Sequence, residues 1–248
     1  MRAKAIGAAL VPLLFSAGMV VAQENCAVAD SYIEPYFKIS KAAVTLRATK
    51  NLEILVLSSA PSQMRVGDKL RSYPTFLEAA LKERLPDYNI RVTIHAEPRR
   101  SIKEILPAIP KVLADHKPSL VIWQTGTVEA IRGVDPDKYE RKLEAGIELI
   151  RKADADVILI NPQFSPRTAI MNDSGALNER IRRVSSYADV PLFNRYDIMR
   201  SWHENNAFDL TALKNDGSYE AVHRCLGRLL AEYISRAASF AEIAKLRQ

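Results

Sequence analysis

Five short apolar runs, each of strand length and most of them followed by a helical pattern, constrain the fold of this chain more than any other feature. They are Glu53-Ile-Leu-Val-Leu57, Ile90-Arg-Val-Thr-Ile94, Leu120-Val-Ile-Trp123, Asp156-Val-Ile-Leu-Ile160 and Val190-Pro-Leu-Phe193. Between them, apolar residues recur at helical spacing. Tyr73, Phe76, Leu77, Ala80 and Leu81 form one face, and Tyr139, Leu143, Ile147 and Ile150 another. Ser101 with Glu104 reads as a capping box, Asp135-Pro136 as a helix start, and Leu177 to Ser186 as a further helix. A last helix carries Val222, Cys225, Leu226, Leu229, Leu230, Tyr233 and Ile234 on one face. Continuous apolar strands alternating with amphipathic helices predict a parallel sheet covered on both sides. The expectation is an α/β fold with three α/β/α layers, a doubly wound, flavodoxin-like parallel sheet of five strands. Ligands of such sheets sit at the carboxyl ends of the strands. The loops after Leu57, Ile94, Trp123 and Ile160, and the segment before the last helix, are therefore the ones to examine.

Composition removes other readings. With 48% apolar and 26% charged residues in 248, the chain is neither disordered, collagenous nor a coiled coil. Two cysteines cannot build a disulfide framework, and nine glycines weigh against several glycine-rich ligand loops. Arg2 and Lys4 precede the uncharged run Ala5 to Ala22, which ends on small residues and is followed by Gln23-Glu24-Asn25. This reads as an export signal cleaved after Ala22, with an uncleaved anchor as the alternative. The expected organisation is a signal at 1–22, an N-terminal extension at 23–50, one domain at 51–235 and a tail at 236–248. Cleavage lowers the net charge from +6 to +4, because Arg2 and Lys4 leave and no acid does. No dense basic tract remains, so nucleic acid is not an expected partner. In a periplasmic or secreted setting Cys26 and Cys225 are free to pair, provided the fold brings them close.

The loops at those strand ends resemble the SGNH/GDSL hydrolases, specifically their exported bacterial branch. The resemblance runs from Cys26-Ala-Val through Ile54 to Ser62, Ser72-Tyr73-Pro74 and Leu120-Val-Ile-Trp-Gln-Thr-Gly-Thr127. It continues over Asp156 to Pro166, Pro191 to Trp202, Asp216-Gly217 and Cys225 to Leu230. It implies an esterase architecture. A serine after the first strand attacks an ester carbonyl, and a histidine three residues after an aspartate takes its proton. The serine amide, a glycine amide and an asparagine side chain hold the oxyanion.

Carried over position by position, the resemblance implies a degenerate site. The nucleophile position falls on Ala60 within Ser58-Ser59-Ala60-Pro61, and the glycine position near Ala96. The family's Gly-Thr-Asn reads Gly126-Thr127-Val128, and its Asp-Gly-x-His reads Asp216-Gly217-Ser218-Tyr219. The acid is kept, while nucleophile, glycine, asparagine and base are all substituted. The sequence thus points to an exported pseudo-esterase that retains a cleft for an acylated glycan or envelope component. The alternative is an active carbohydrate or lipid esterase, or an acyltransferase, built on displaced residues. Its candidates are Ser59 or Ser62 as nucleophile and His223 as base, with Asp216 and Tyr219 beside them. Against these stand plainer roles: Ser59 and Ser62 as turn residues, His223 as a structural histidine, Tyr219 as a filler of the imidazole's space. His95, His116, His203 and His223 are scattered without metal-ligand spacing, and no phosphate loop is present. Neither metal nor cofactor is expected. The number of subunits is left open.

Overall fold

The computed structural model describes residues 26–58, 65–66, 69–70, 72–166, 174–211 and 217–240. The expected signal at 1–22 lies outside them. In chain order, helix α1 (Ser40–Thr49) leads into β1 (Asn51–Ser58), and a short hairpin β2 (Arg65–Val66) and β3 (Lys69–Leu70) follows. Next come α2 (Tyr73–Arg84), β4 (Asn89–Ala96), α3 (Ile102–Ile105), α4 (Ile109–His116), β5 (Leu120–Gln124) and α5 (Thr127–Ile131). The chain continues through α6 (Pro136–Lys152), β6 (Asp156–Ile160), α7 (Ser174–Tyr187), β7 (Leu192–Phe193), α8 (Arg195–Glu204) and α9 (Gly217–Ala237).

Five of the strands form one sheet in the order β4-β1-β5-β6-β7, and every neighbouring pair is parallel. This is the expected doubly wound arrangement, with its switch point beside β1. The alternation of side chains along each strand feeds two cores. Ile54, Val56, Leu120 and Ile122 pack against α1, α2, α8 and α9. Leu55, Leu57, Val121 and Trp123 pack against α3, α4, α6 and α7. Every residue of β5 is buried, which is why this strand reads as an unbroken apolar run ending in a single amide, Gln124.

Local side chains explain the starts of α3 and α6. Ser101 and Glu104 form the predicted capping box, and Asp135 accepts the Lys138 N–H at 2.8 Å with Pro136 in the first turn of α6. Helix α1 lies in the segment expected to be a plain extension, and its residues Ala42 and Leu46 are fully buried against the sheet. Its first turn is held by Asp156 at the start of β6, whose Oδ2 accepts the Ala42 N–H at 2.8 Å. Burial raises the Asp156 pKa, against the two main-chain N–H donors and Lys41. Cys26 and Cys225 are joined by a disulfide with Cα atoms 5.1 Å apart, tying the start of the described chain to α9. Among the described residues, no helix is long and apolar enough to cross a membrane.

Candidate functional site

The sheet register brings the carboxyl ends of the five strands to one edge. Ser58, the last residue of β1, pairs with Ala96 on one side and Gln124 on the other, and Gln124 pairs with Ile160. Ile160 in turn pairs with Phe193 at the end of β7. Strand β1 therefore ends, at Ser58, between β4 and β5. Ser59, Ala60, Ser62 and Asp216 lie outside the described residues. Of the remaining candidates, Ala96 is half-buried at the end of β4, and Val128 is 7% exposed in the first turn of α5. Gly126, immediately before α5, takes a φ of +94°, a conformation suited to glycine, and Ile181 and Pro162 crowd the space a side chain would need. His95 is engaged with Glu97, its Nε2 3.2 Å from Oε1.

Tyr219 and His223 occupy the first turns of α9, their ring centroids 4.3 Å apart. His223 is 6% exposed, and its Nδ1 accepts the Tyr73 main-chain N–H at 3.1 Å. That N–H is one of the orphan donors at the start of α2, so His223 caps this helix from 150 residues away. With Nδ1 as acceptor, the neutral ring carries its proton on Nε2. Burial, helped by the positive charge of Arg195, pulls the His223 pKa from 6.5 down to about 3. At neutral pH the ring is uncharged, and the nitrogen left to it is a donor.

Arg195 opens α8 directly beyond β7 and is 3% exposed. Its Nε donates to the Asn161 main-chain oxygen at 3.1 Å. Burial lowers its pKa, opposed by the Tyr73 and Tyr219 phenols, and a guanidinium remains charged regardless. Tyr219 shows the converse: burial raises its pKa, and Arg195 opposes the rise. Asn161 is fully buried beyond β6. Its Oδ1 accepts the Tyr196 N–H at 3.0 Å, and its Nδ2 donates to Asn194 Oδ1 at 2.8 Å. Two further buried polar atoms at this edge, Ser72 Oγ and Gln124 Oε1, have no hydrogen-bond partner among the described residues. On the other side of β5, Glu129 is buried and its Oε1 accepts the Ile102 N–H at 2.5 Å. Burial raises its pKa despite the main-chain donors and Arg132. Among the described residues, no group of three or more histidine, cysteine or acidic side chains is placed to hold a metal ion.

This parallel sheet agrees with what known proteins show. Residues 25–240 match the model of the non-GDSL lipase-like family. The chain belongs to that family. Solved structures of SGNH/GDSL hydrolases share its fold. TesA superposes with a TM-score of 0.53 at 21% identity, covering 72% of this chain and 97% of its own. A lipolytic protein of the G-D-S-L family from Desulfitobacterium hafniense DCB-2 gives 0.56 at 12%, covering 75% and 99%. A W-to-I mutant of Axe2, an acetyl-xylooligosaccharide esterase from Geobacillus, gives 0.58 at 13%, covering 76% and 94%. Other matched Axe2 structures are catalytic mutants at a serine, an aspartate and a histidine. At these identities the likeness is one of fold. No curated protein matches the chain.

In this member of the non-GDSL lipase-like family, sequence reasoning passed over two buried polar residues at this edge, Asn161 and Arg195. A signal existed. Each is a polar residue at or just past the step beyond an apolar strand, in Ile160-Asn161 and Phe193-Asn194-Arg195, where a ligand-facing edge begins. Their roles depend on a partner in another element, and spacing along the chain does not display that.

Proposed function

We propose that this chain is an exported protein of the SGNH hydrolase fold that binds an acylated glycan or another envelope component in its cleft without hydrolysing it. The observation that carries the reading is the state of His223. A base for ester hydrolysis must present a free lone pair to a hydroxyl and hold the proton it takes. The Nδ1 lone pair of His223 already accepts the Tyr73 N–H, Nε2 carries the proton, and a pKa near 3 leaves the ring a weak base. The family's base position is a tyrosine, Tyr219, and its oxyanion amide is replaced by the apolar Val128. Losing one such donor costs about 10²–10³ in rate, and losing nucleophile or base costs more.

The polar edge speaks for binding. Ser72 Oγ and Gln124 Oε1 are buried without hydrogen-bond partners among the described residues, capacity that a bound ligand or water would use. Axe2, which shares the fold, acts on an acetylated oligosaccharide, and that supports an acylated glycan as the ligand class. Export is supported by the 1–22 signal pattern and by the Cys26–Cys225 disulfide, a bond that persists in oxidising compartments.

Fluorophosphonate labelling of the purified chain, alongside turnover of 4-nitrophenyl acetate, tests this reading. The expected result is no covalent adduct by mass spectrometry and no turnover above buffer. Stoichiometric labelling that Ser59→Ala or Ser62→Ala abolishes would overturn it in favour of an active esterase with a displaced nucleophile.

A further inference from the structure

The buried charge of Arg195, close enough to Tyr219 to feel it, has no counter-ion among the described residues. Among the described residues it makes one hydrogen bond, to the Asn161 main-chain oxygen, and no carboxylate pairs with it. Carboxylates near it in sequence are engaged elsewhere. Asp197, two residues on, pairs with Arg182 at 2.5 Å and Arg200 at 3.2 Å. Glu220, beside Tyr219, pairs with Arg224 at 2.6 Å. Of the titratable groups that feel its charge, burial pushes Tyr219 up and His223 down, so neither is charged at pH 7. A guanidinium held nine-tenths out of water and left unpaired is costly, and proteins ordinarily neutralise it. Asn161 fixes its geometry, bonding at once to Arg195, Tyr196 and Asn194. A planar fork of this kind, preorganised at the carboxyl edge of a doubly wound sheet, suits an oxyanion of a ligand.

We propose that Arg195 anchors an anion site, and that the molecule bound at this edge carries a carboxylate or phosphate group there. The inference deepens the binding reading above by naming an acidic class of ligand. A uronate carboxylate and a phosphate substituent share the required chemistry.

Isothermal titration calorimetry on the purified chain decides it with three probes: trigalacturonate, inorganic phosphate, and acetylated xylotriose as the uncharged control. At least one of the two anions is expected to bind, and which one identifies the source of the charge. Arg195→Gln is expected to weaken that anion at least tenfold and leave acetylated xylotriose within twofold. Binding of neither anion, or an anion affinity that Arg195→Gln leaves within twofold, overturns the proposal. Arg195→Lys keeps the charge without the fork and serves if the glutamine variant does not fold. A loss of at least threefold supports the proposal, and unchanged anion binding overturns it. Asp216→Asn tests for an internal counter-ion. Anion binding within twofold of wild type is expected, whereas a tenfold gain would show that Asp216 neutralises Arg195 and would overturn the proposal. The two readings fail separately. Anion binding together with serine labelling sinks the non-hydrolytic reading alone, and acetylated xylotriose binding without anion binding sinks this one alone.

Discussion

Protonating His223 would remove the acceptor that holds the Tyr73 N–H and would place a second cation beside Arg195. Folding therefore favours the neutral ring, and its pKa falls from 6.5 to about 3. The sign follows from linkage. Between those two values the unfolded chain binds more protons than the folded one, so this contribution is complete above about pH 6.5 and is lost as pH falls toward about 3. A shift of this size corresponds to at most about 5 kcal/mol, of which about 2 kcal/mol is gone by pH 5. His223→Asn keeps an acceptor near the Nδ1 position and cannot titrate. Urea unfolding at pH 7 and pH 5 should show the wild type losing about 2 kcal/mol more than His223→Asn. Equal losses would mean that His223 is not held neutral. Little of this was legible beforehand. The sequence places His223 at the edge of an apolar helical face, which permits both a base and a structural histidine. Only the meeting of α9 with the first turn of α2 decides which nitrogen keeps a lone pair.

Three helices at the element scale begin on side chains borrowed from elsewhere. Asp156 holds α1 from 114 residues away, His223 holds α2 from 150, and Glu129 adds to the local box of α3 from 27. Local signals find a helix when cap and apolar stripe both lie in the same segment, as with Asp135 and α6. Helix α1 lacks the first: Ile39 precedes it and offers no side-chain acceptor. The five strands were legible because their apolar runs are continuous, and β7, shortest at two residues, was the least extended of them. Close packing of α9 on α2 was not legible, although it positions Tyr73 against His223. Gly227 is what allows it. A methyl group there would stand 2.6 Å from Phe76 Cβ and 2.8 Å from both the Leu77 nitrogen and the Tyr73 oxygen. Main-chain atoms cannot step aside as a flexible side chain can, so Gly227→Ala should force the helices apart. We expect a loss of about 2–3 kcal/mol in urea unfolding and a rise in the His223 pKa as its cap loosens. An unchanged midpoint would show that α2 and α9 separate freely.

For the molecule as a whole, the same helix is fastened at a second point. Cys225 lies two residues beyond His223 and is bonded to Cys26, 199 residues earlier. The bond anchors the segment ahead of α1 to the helix that carries Tyr219 and His223. Chain-entropy arguments assign a loop of this length a stabilisation of about 5 kcal/mol, and measured native disulfides fall at about 2–5. The apolar face of α9, from Val222 to Ile234, stays buried against the sheet without the bond, so the reduced chain should remain folded but marginal. Cys26→Ser with Cys225→Ser should lower Tm by roughly 5–20 °C, and dithiothreitol should reproduce the shift in the wild type. The proposed anion site gives this a functional side. Loosening α9 moves Tyr219 and His223, the neutral groups around Arg195, and lets water reach the guanidinium. Phosphate or trigalacturonate affinity should then fall severalfold in the double serine variant at a temperature where circular dichroism shows it still folded. If stability drops while anion affinity holds, the disulfide guards the fold alone and the edge around Arg195 is rigid without it.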